Sequence, residues 1–287
     1  MVTLAHVFNP VQYPKPSAAD FAQQVALRSI LAARKLAPQP VELVSVQYAE
    51  DRAAAPDEFT QTPDLTRSVL DFGSFQPPRK LPLVGDMLAE AAQAAAADYL
   101  IYTNNDIGVQ PYFYEFIGAT IEAGSEAFTI NRRSIPASFS DPAELPKMYA
   151  ELGEPHRGWD CFIFPREACR KFILHHVCAG APLMGLALLA NMQAFCSTFQ
   201  ELRGLHLTFH LGNERGWTSR RQRAYFDHNR QQLRQVLAEL EEGHGVFPAS
   251  TPPGRYLRFH RSPLAGKLYD YLFLNLYLPA RWTRRER

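Results

Sequence analysis

Four groups of side chains in this sequence have the types and spacing to do chemistry together. Asn104-Asn105-Asp106 sets two carboxamides and a carboxylate in a row. These are hard oxygen donors, suited to Mg²⁺ or Mn²⁺ carrying a phosphate. Asn and Asp are also favoured in a plain strand-to-loop turn, so both readings stand. His210 closes an apolar run and precedes Gly212-Asn213-Glu214-Arg215-Gly216-Trp217. There a neutral imidazole can ligate a metal or serve a structural role. Asp160 ends His156-Arg157-Gly158-Trp159-Asp160, directly ahead of an apolar strand. Gly158 would admit a ligand close to the backbone, and Asp160 either lines a pocket or simply ends the loop. Arg132-Arg133 follows a short strand and can hold a diphosphate or lie in a solvated loop. His175-His176 is set aside as surface, because neighbours on a helix do not face one another.

These groups need a scaffold that carries them to one place. Apolar, β-rich runs predict strands at 2–8, 41–48, 99–102, 127–131, 161–164 and 205–211. In the last of these, His206 and His210 would share a face. Helical patterns fall at 20–36, 82–97, 111–123, 167–175, 181–195 and 221–242, and the stretches 53–82 and 136–155 read as long irregular connections. Strands alternating with helices make an α/β fold with a buried, mixed but mostly parallel sheet. Ligands of such sheets sit outside the carboxyl ends of the strands, where Asn104 to Asp106 fall. The expected organisation is one domain over 1–218 and a helical, basic and aromatic extension over 219–287.

Composition narrows the function. With 30 Lys and Arg against 29 Asp and Glu the chain is nearly neutral, which argues against nucleic acid as a partner. No apolar run reaches the roughly 20 residues of a membrane span, and the N-terminal run goes straight into a strand pattern, so a cytoplasmic location is expected. The four cysteines show no CxxC pairing and read as buried small hydrophobes. Neither GxGxxG nor GxxxxGK[ST] is present, which disfavours a dinucleotide fold and a P-loop enzyme. From Thr251 onward, eight basic residues face only Asp270 and Glu286, around the aromatic and aliphatic run LYDYLFLNLYL. That pattern suits either peripheral contact with an anionic membrane or a helix packed on the main domain with a basic tail.

Taken in order, these pieces resemble the GT-A class of nucleotide-sugar glycosyltransferases over roughly 2–217. The resemblance implies a Rossmann-like GT-A domain in which an Asp-x-Asp motif holds a divalent metal on a sugar-nucleotide diphosphate. Asn104-Asn105-Asp106 is similar to that motif, with Asn104 replacing the first carboxylate. The His210 to Trp217 segment is similar to the class's His-Phe-x-Gly-x-x-Lys-Pro-Trp, with Arg215 in place of the Lys. Gly158 to Phe164 resembles the glycine-led strand lining the sugar pocket. What this implies is transfer of a sugar from a nucleotide-diphosphate donor to a carbohydrate or glycolipid hydroxyl, in polysaccharide or glycoconjugate assembly, with Mn²⁺ or Mg²⁺ and a lean toward retention. Asp106 and His210 would hold the metal, with Asn104 or Asn105 assisting. Asn9, Pro10 and Asp51 would lie near base and ribose, Arg132, Gly158 and Asn213 along the donor, Asp160 at the sugar or acceptor, and Arg215 at the departing diphosphate. Two other readings remain. One is a degenerate transferase acting as a binding module. The other is a sugar-nucleotide nucleotidyltransferase, although the loop after the first strand (Asn9 to Pro14) lacks the glycines that class usually shows.

Overall fold

Each apolar run of the first half becomes a strand buried on both faces, so the sheet needs helices on either side. The computed structural model describes residues 1–156, 158–212 and 223–275, with backbone alone over 272–275. In chain order its elements begin with β1 (Leu4–Phe8), α1 (Ala18–Leu36), β2 (Val41–Ser45), β3 (Thr60–Gln61), α2 (Val84–Ala94), β4 (Tyr99–Thr103), β5 (Gly108–Val109) and α3 (Phe113–Glu122). Then come β6 (Ala127–Ile130), β7 (Arg133–Ile135), α4 (Leu145–Ala150), β8 (Glu154–Pro155), β9 (Cys161–Pro165) and α5 (Arg166–Cys169). The chain continues through α6 (Met184–Phe195), β10 (Phe199–Leu202), β11 (Thr208–Leu211), α7 (Arg223–His244), α8 (Pro252–His260) and α9 (Pro263–Asn275).

Seven of the strands form one sheet in the order β10-β6-β9-β4-β1-β2-β3, all parallel except β9, which runs against both neighbours. The mixed, mostly parallel α/β sheet expected from the sequence is thus what the chain forms. Successive strand residues point to opposite layers. Leu4 and Phe8 join Ile30, Phe113 and Ile117 under α1 and α3. Ala5 and Val7 join Met87, Leu188 and Leu237 under α2, α6 and α7. The C-terminal helices α7 and α8 therefore bury Phe226, Val236 and Tyr256 in the same core as β1. A second, four-stranded sheet in the order β5-β11-β7-β8 stands beside the end of the first.

His6, in the middle of β1, shows how tightly this sheet is closed. Its Nδ1 lies 2.7 Å from the Tyr114 hydroxyl and its Nε2 2.9 Å from the Thr103 hydroxyl, all out of solvent. Burial pushes the imidazole down to about 3. An unfolded histidine takes its proton near 6.5, so between these values the unfolded chain binds a proton that the folded chain does not. Stability is therefore lost as pH falls through that window, by about 2 kcal/mol at pH 5 from this residue. Thermal melts of wild type and His6→Gln at neutral pH and at pH 5 check this. The wild type should lose more on acidification than the variant, and equal losses would contradict the assignment.

Several expected elements end early, for reasons visible in the structure. The helix expected over 167–175 is only α5, because the Asn191 side chain accepts from Ile173 N at 2.6 Å and donates to Ile173 O at 2.8 Å. His175 then takes a left-handed φ of 43°. The helix expected from 181 starts at Met184, since Asn229 on α7 donates to the carbonyls of Cys178 and Pro182, both at 3.0 Å. The strand expected over 205–211 is only β11. His206 lies ahead of it, with Nε2 2.9 Å from Gln110 Nε2, so it does not share a strand face with His210. The connection over 53–82 supplies edge strand β3 and a 3₁₀ turn at Val69–Phe72. Its Phe75 stacks on Tyr225 of α7, ring centroids 4.4 Å apart. All four cysteines are buried free thiols. No helix among the described residues is long and apolar enough to cross a membrane.

Candidate functional site

Strand register brings the polar residues together. β4 and β9 pair Thr103 with Cys161, and β6 and β9 pair Ile130 with Cys161. Asp160 therefore enters the sheet between the residues leaving β4 (Asn104 to Asp106) and those leaving β6 (Asn131 and Arg132). Because β9 runs antiparallel, its start lies at the carboxyl edge of its parallel neighbours. The same edge receives Asn9 after β1, whose Nδ2 donates to Val46 O at 2.7 Å just past β2.

The second sheet delivers His210. Phe209 pairs with Gly108, two residues past Asp106, and His210 pairs with Ser134 of β7. His210 Nε2 consequently lies 3.2 Å from Asp106 Oδ2, across 104 positions of sequence. This docking depends on Gly108. A Cβ added there would lie 2.4 Å from Phe209 Cζ, and Phe209 is fully buried among Val25, Ile135, Leu145 and Met148. We expect Gly108→Ala to cost about 1–3 kcal/mol by overpacking and to move His210 off Asp106. Chemical denaturation measures the cost. Gly108→Ala combined with Phe209→Leu should recover stability if the ring is the obstacle, and no recovery would contradict that.

Arg132 and Asp160 form the second half of the site. Nη1 donates to Oδ1 at 3.0 Å, with both side chains under 10% exposed. Burial is the largest single influence and works against the Asp160 charge, but the Arg132 guanidinium together with the neighbouring His156 and His210 outweighs it and holds the carboxyl down at about 2. His156 Nδ1 lies 3.4 Å from Asp160 Oδ2 yet accepts the Gly158 N–H at 3.0 Å. A nitrogen accepting that bond cannot also donate, and Asp160 Oδ2 has no hydrogen-bond partner among the described residues. Asp106 is held below the usual carboxylate range in the same way. Burial opposes its charge, while the His210 contact and then Arg132 outweigh burial. Buried polar atoms without a partner among the described residues cluster here: Asp106 Oδ1, Asn131 Oδ1, Arg132 Nε and Asp160 Oδ2. Native interiors rarely leave such groups unmet, so these atoms offer hydrogen-bonding capacity that a polar ligand or water can take up at this edge.

The donor set fits a cation shared with that ligand. His210 Nδ1 lies 3.0 Å from the Gly212 carbonyl, which only accepts, so Nδ1 carries a proton. Nε2 then presents its lone pair toward the Asp106 carboxylate unless a second proton or a cation intervenes. Among the described residues no group of three or more His, Cys, Asp or Glu could hold a metal. A cation held by Asp106 and His210 would therefore draw its remaining oxygens from the ligand, as Mg²⁺ and Mn²⁺ do with phosphates.

The other sequence candidates fall as follows. Asn105 Nδ2 donates to Gln23 Oε1 at 3.1 Å and its side chain also bonds Tyr13. Gln23 in turn bonds both N–H and C=O of Val11, at 2.8 and 2.9 Å, tying the loop after β1 to the Asp106 loop. Pro10 is buried in that loop, and Asn104 is half-buried beside Asp106. Asp51 accepts the Gln12 N–H at 2.7 Å, and burial pushes its carboxyl up despite that bond. Gly158 packs against the His156 ring, and its carbonyl takes the Asn131 amide, so this glycine is filled from within. Arg133 does not share the role of Arg132: its guanidinium donates to the carbonyls of Leu152, Gly153 and Gly204 and closes the loops. Asn213 and Arg215 lie outside the described residues. Sequence reasoning gave no role to Gln23, Tyr13, Asn131 or His156. Gln23 had a signal, a polar residue on the buried stripe of α1 with Ala26, Ile30 and Ala33.

No protein-family model matches the chain, and no curated protein matches it. Among solved structures it is similar to S. aureus TarS 1–349 in complex with UDP-GlcNAc, at 10% identity and TM-score 0.49, over 84% of this chain and 67% of that one. A second is glucosyl-3-phosphoglycerate synthase from Mycobacterium tuberculosis in complex with Mn²⁺, UDP-glucose and phosphoglyceric acid, at 14% identity and TM-score 0.44, over 86% and 82%. S. aureus TarS itself aligns over 98% of this chain and 50% of its own length, at 11% identity and TM-score 0.45.

Proposed function

We propose that this chain is a GT-A-type glycosyltransferase, moving a sugar from a nucleotide diphosphate to an acceptor hydroxyl of a carbohydrate or glycolipid. The observation that carries the reading is the meeting of Asp106 and His210, 3.2 Å apart, at the carboxyl edge of the parallel strands. The loop from Asn9 to Tyr13, pinned by Gln23 and Asp51, borders the nucleoside end of the donor. Asp106 and His210 would hold a divalent cation, which would offset the charge building on the departing diphosphate. Arg132 adds a fixed positive charge beside them. Asp160, a carboxylate down at about 2, is a poor general base at neutral pH, where an efficient base titrates near the working pH. Its Oδ2, without a partner among the described residues, instead suits it to accept a hydroxyl of the transferred sugar and orient it. That division of labour favours retention over inversion.

A second reading, a binding module that holds the donor without consuming it, is favoured by Asn104 standing where a further carboxylate would complete the metal set. Mass spectrometry of the protein with a panel of nucleotide sugars and Mn²⁺ separates the two. Consumption of one donor, lost in Asp106→Asn, is the result expected of the transferase. Binding without consumption points to the module, and neither binding nor consumption of any donor overturns both.

A further inference from the structure

Helix α9 carries its polarity inside out. Gly266 and Asp270, four apart, face inward, while Leu264, Leu268 and Tyr271 recur at helical spacing on the outward side. Those three are 81%, 57% and 60% exposed, and Phe259 at the end of α8 adds another apolar side chain at 45%. The arrangement is locked. Asp270 accepts from Arg230 Nη1 of α7 at 2.8 Å and from His260 Nε2 of α8 at 2.9 Å. His260 stacks on the buried Tyr256 ring, centroids 3.9 Å apart. These contacts fix the rotation of α9, so Leu264 and Leu268 face solvent by construction.

The exposed charge carried by the two helices has one sign. Arg255, Arg258, Arg261 and Lys267 are exposed on or beside the two helices. The single carboxylate of residues 252–275, Asp270, is consumed by the internal pairs. The sequence after α9, outside the described residues, continues the mixture with Trp282 among Arg281, Arg284 and Arg285. We propose that the α8–α9 face docks the protein on an anionic lipid surface. Exposed apolar and aromatic side chains ringed by cations suit the boundary between headgroups and acyl chains. A second copy would bring the same cations against one another, which disfavours self-association here.

Flotation of the full chain with phosphatidylglycerol-containing vesicles and with pure phosphatidylcholine vesicles tests the proposal. Wild type should bind the anionic vesicles, weaken at high salt and ignore the neutral ones. Each cation reversed should weaken binding about fivefold or more, so Arg255→Glu with Arg258→Glu and Arg261→Glu should abolish it. Leu264→Ser with Leu268→Ser should weaken it by about tenfold or more. Both sets of residues are exposed, so melting temperature should stay at the wild-type value. Absence of binding by wild type, or binding unchanged in both variants, overturns the proposal. So does a wild-type dimer that ignores vesicles and falls to monomer in the serine variant.

Discussion

An Asp160→Ala protein is expected to lose about 3–5 kcal/mol of stability, more than most single substitutions. The carboxylate is the partner of Arg132 Nη1, and both groups are buried. Removing it leaves a buried guanidinium whose Nε already lacks an acceptor among the described residues. A buried pair differs from a surface one in this respect, since exposed pairs such as Arg52–Asp64 contribute about 1 kcal/mol or less. Replacing both partners, Asp160→Ala with Arg132→Met, should recover most of the loss, because the desolvated charge is gone. Nucleotide binding should not recover, because the positive charge beside Asp106 is gone too. Urea unfolding midpoints measure the first effect and nucleotide titration the second. A single variant within about 1 kcal/mol of wild type would show that water or another carboxylate meets Arg132.

The second large effect is expected at Asp106. Asp106→Asn keeps shape and removes charge, and we expect donor turnover to fall by about a hundredfold to a thousandfold. The fold should tolerate it: the side chain remains 36% exposed and its described polar partner is His210. Turnover and stability therefore separate. At Asp160 both fall, and at Asp106 turnover alone. A loss of turnover accompanied by unfolding would instead assign Asp106 to the scaffold.

Much of this site was legible in sequence because its residues flank long apolar strands. The polar break at Asn104 to Asp106 marks the end of β4, and Asp160 marks the start of β9. The direction of β9 was not legible, since an apolar five-residue strand reads alike either way, and its antiparallel course is what sets Asp160 beside Arg132. The second sheet was hidden for another reason. β5 and β8 are two residues long, too short for any periodicity, yet β5 is what docks β11 and carries His210 to Asp106. The early stop of α5 and the late start of α6 came from single side chains distant in sequence, Asn191 and Asn229, capturing backbone groups. Arg132 and Arg133 looked equivalent. Arg132, in the link between β6 and β7, reaches Asp160, while Arg133, which opens β7, reaches three loop carbonyls.

The account stands on Asp106 and His210 acting as one unit on a nucleotide diphosphate. Calorimetric titration of UDP and GDP into wild type, Asp106→Ala, His210→Ala and the double variant, each with Mn²⁺ and with chelator, measures this directly. The expected result is Mn²⁺-dependent binding of one nucleotide, weakened by about tenfold or more in either single variant and scarcely further in the double, since coupled residues do not add. Binding that is equal with and without Mn²⁺ and unaltered by either substitution would contradict it.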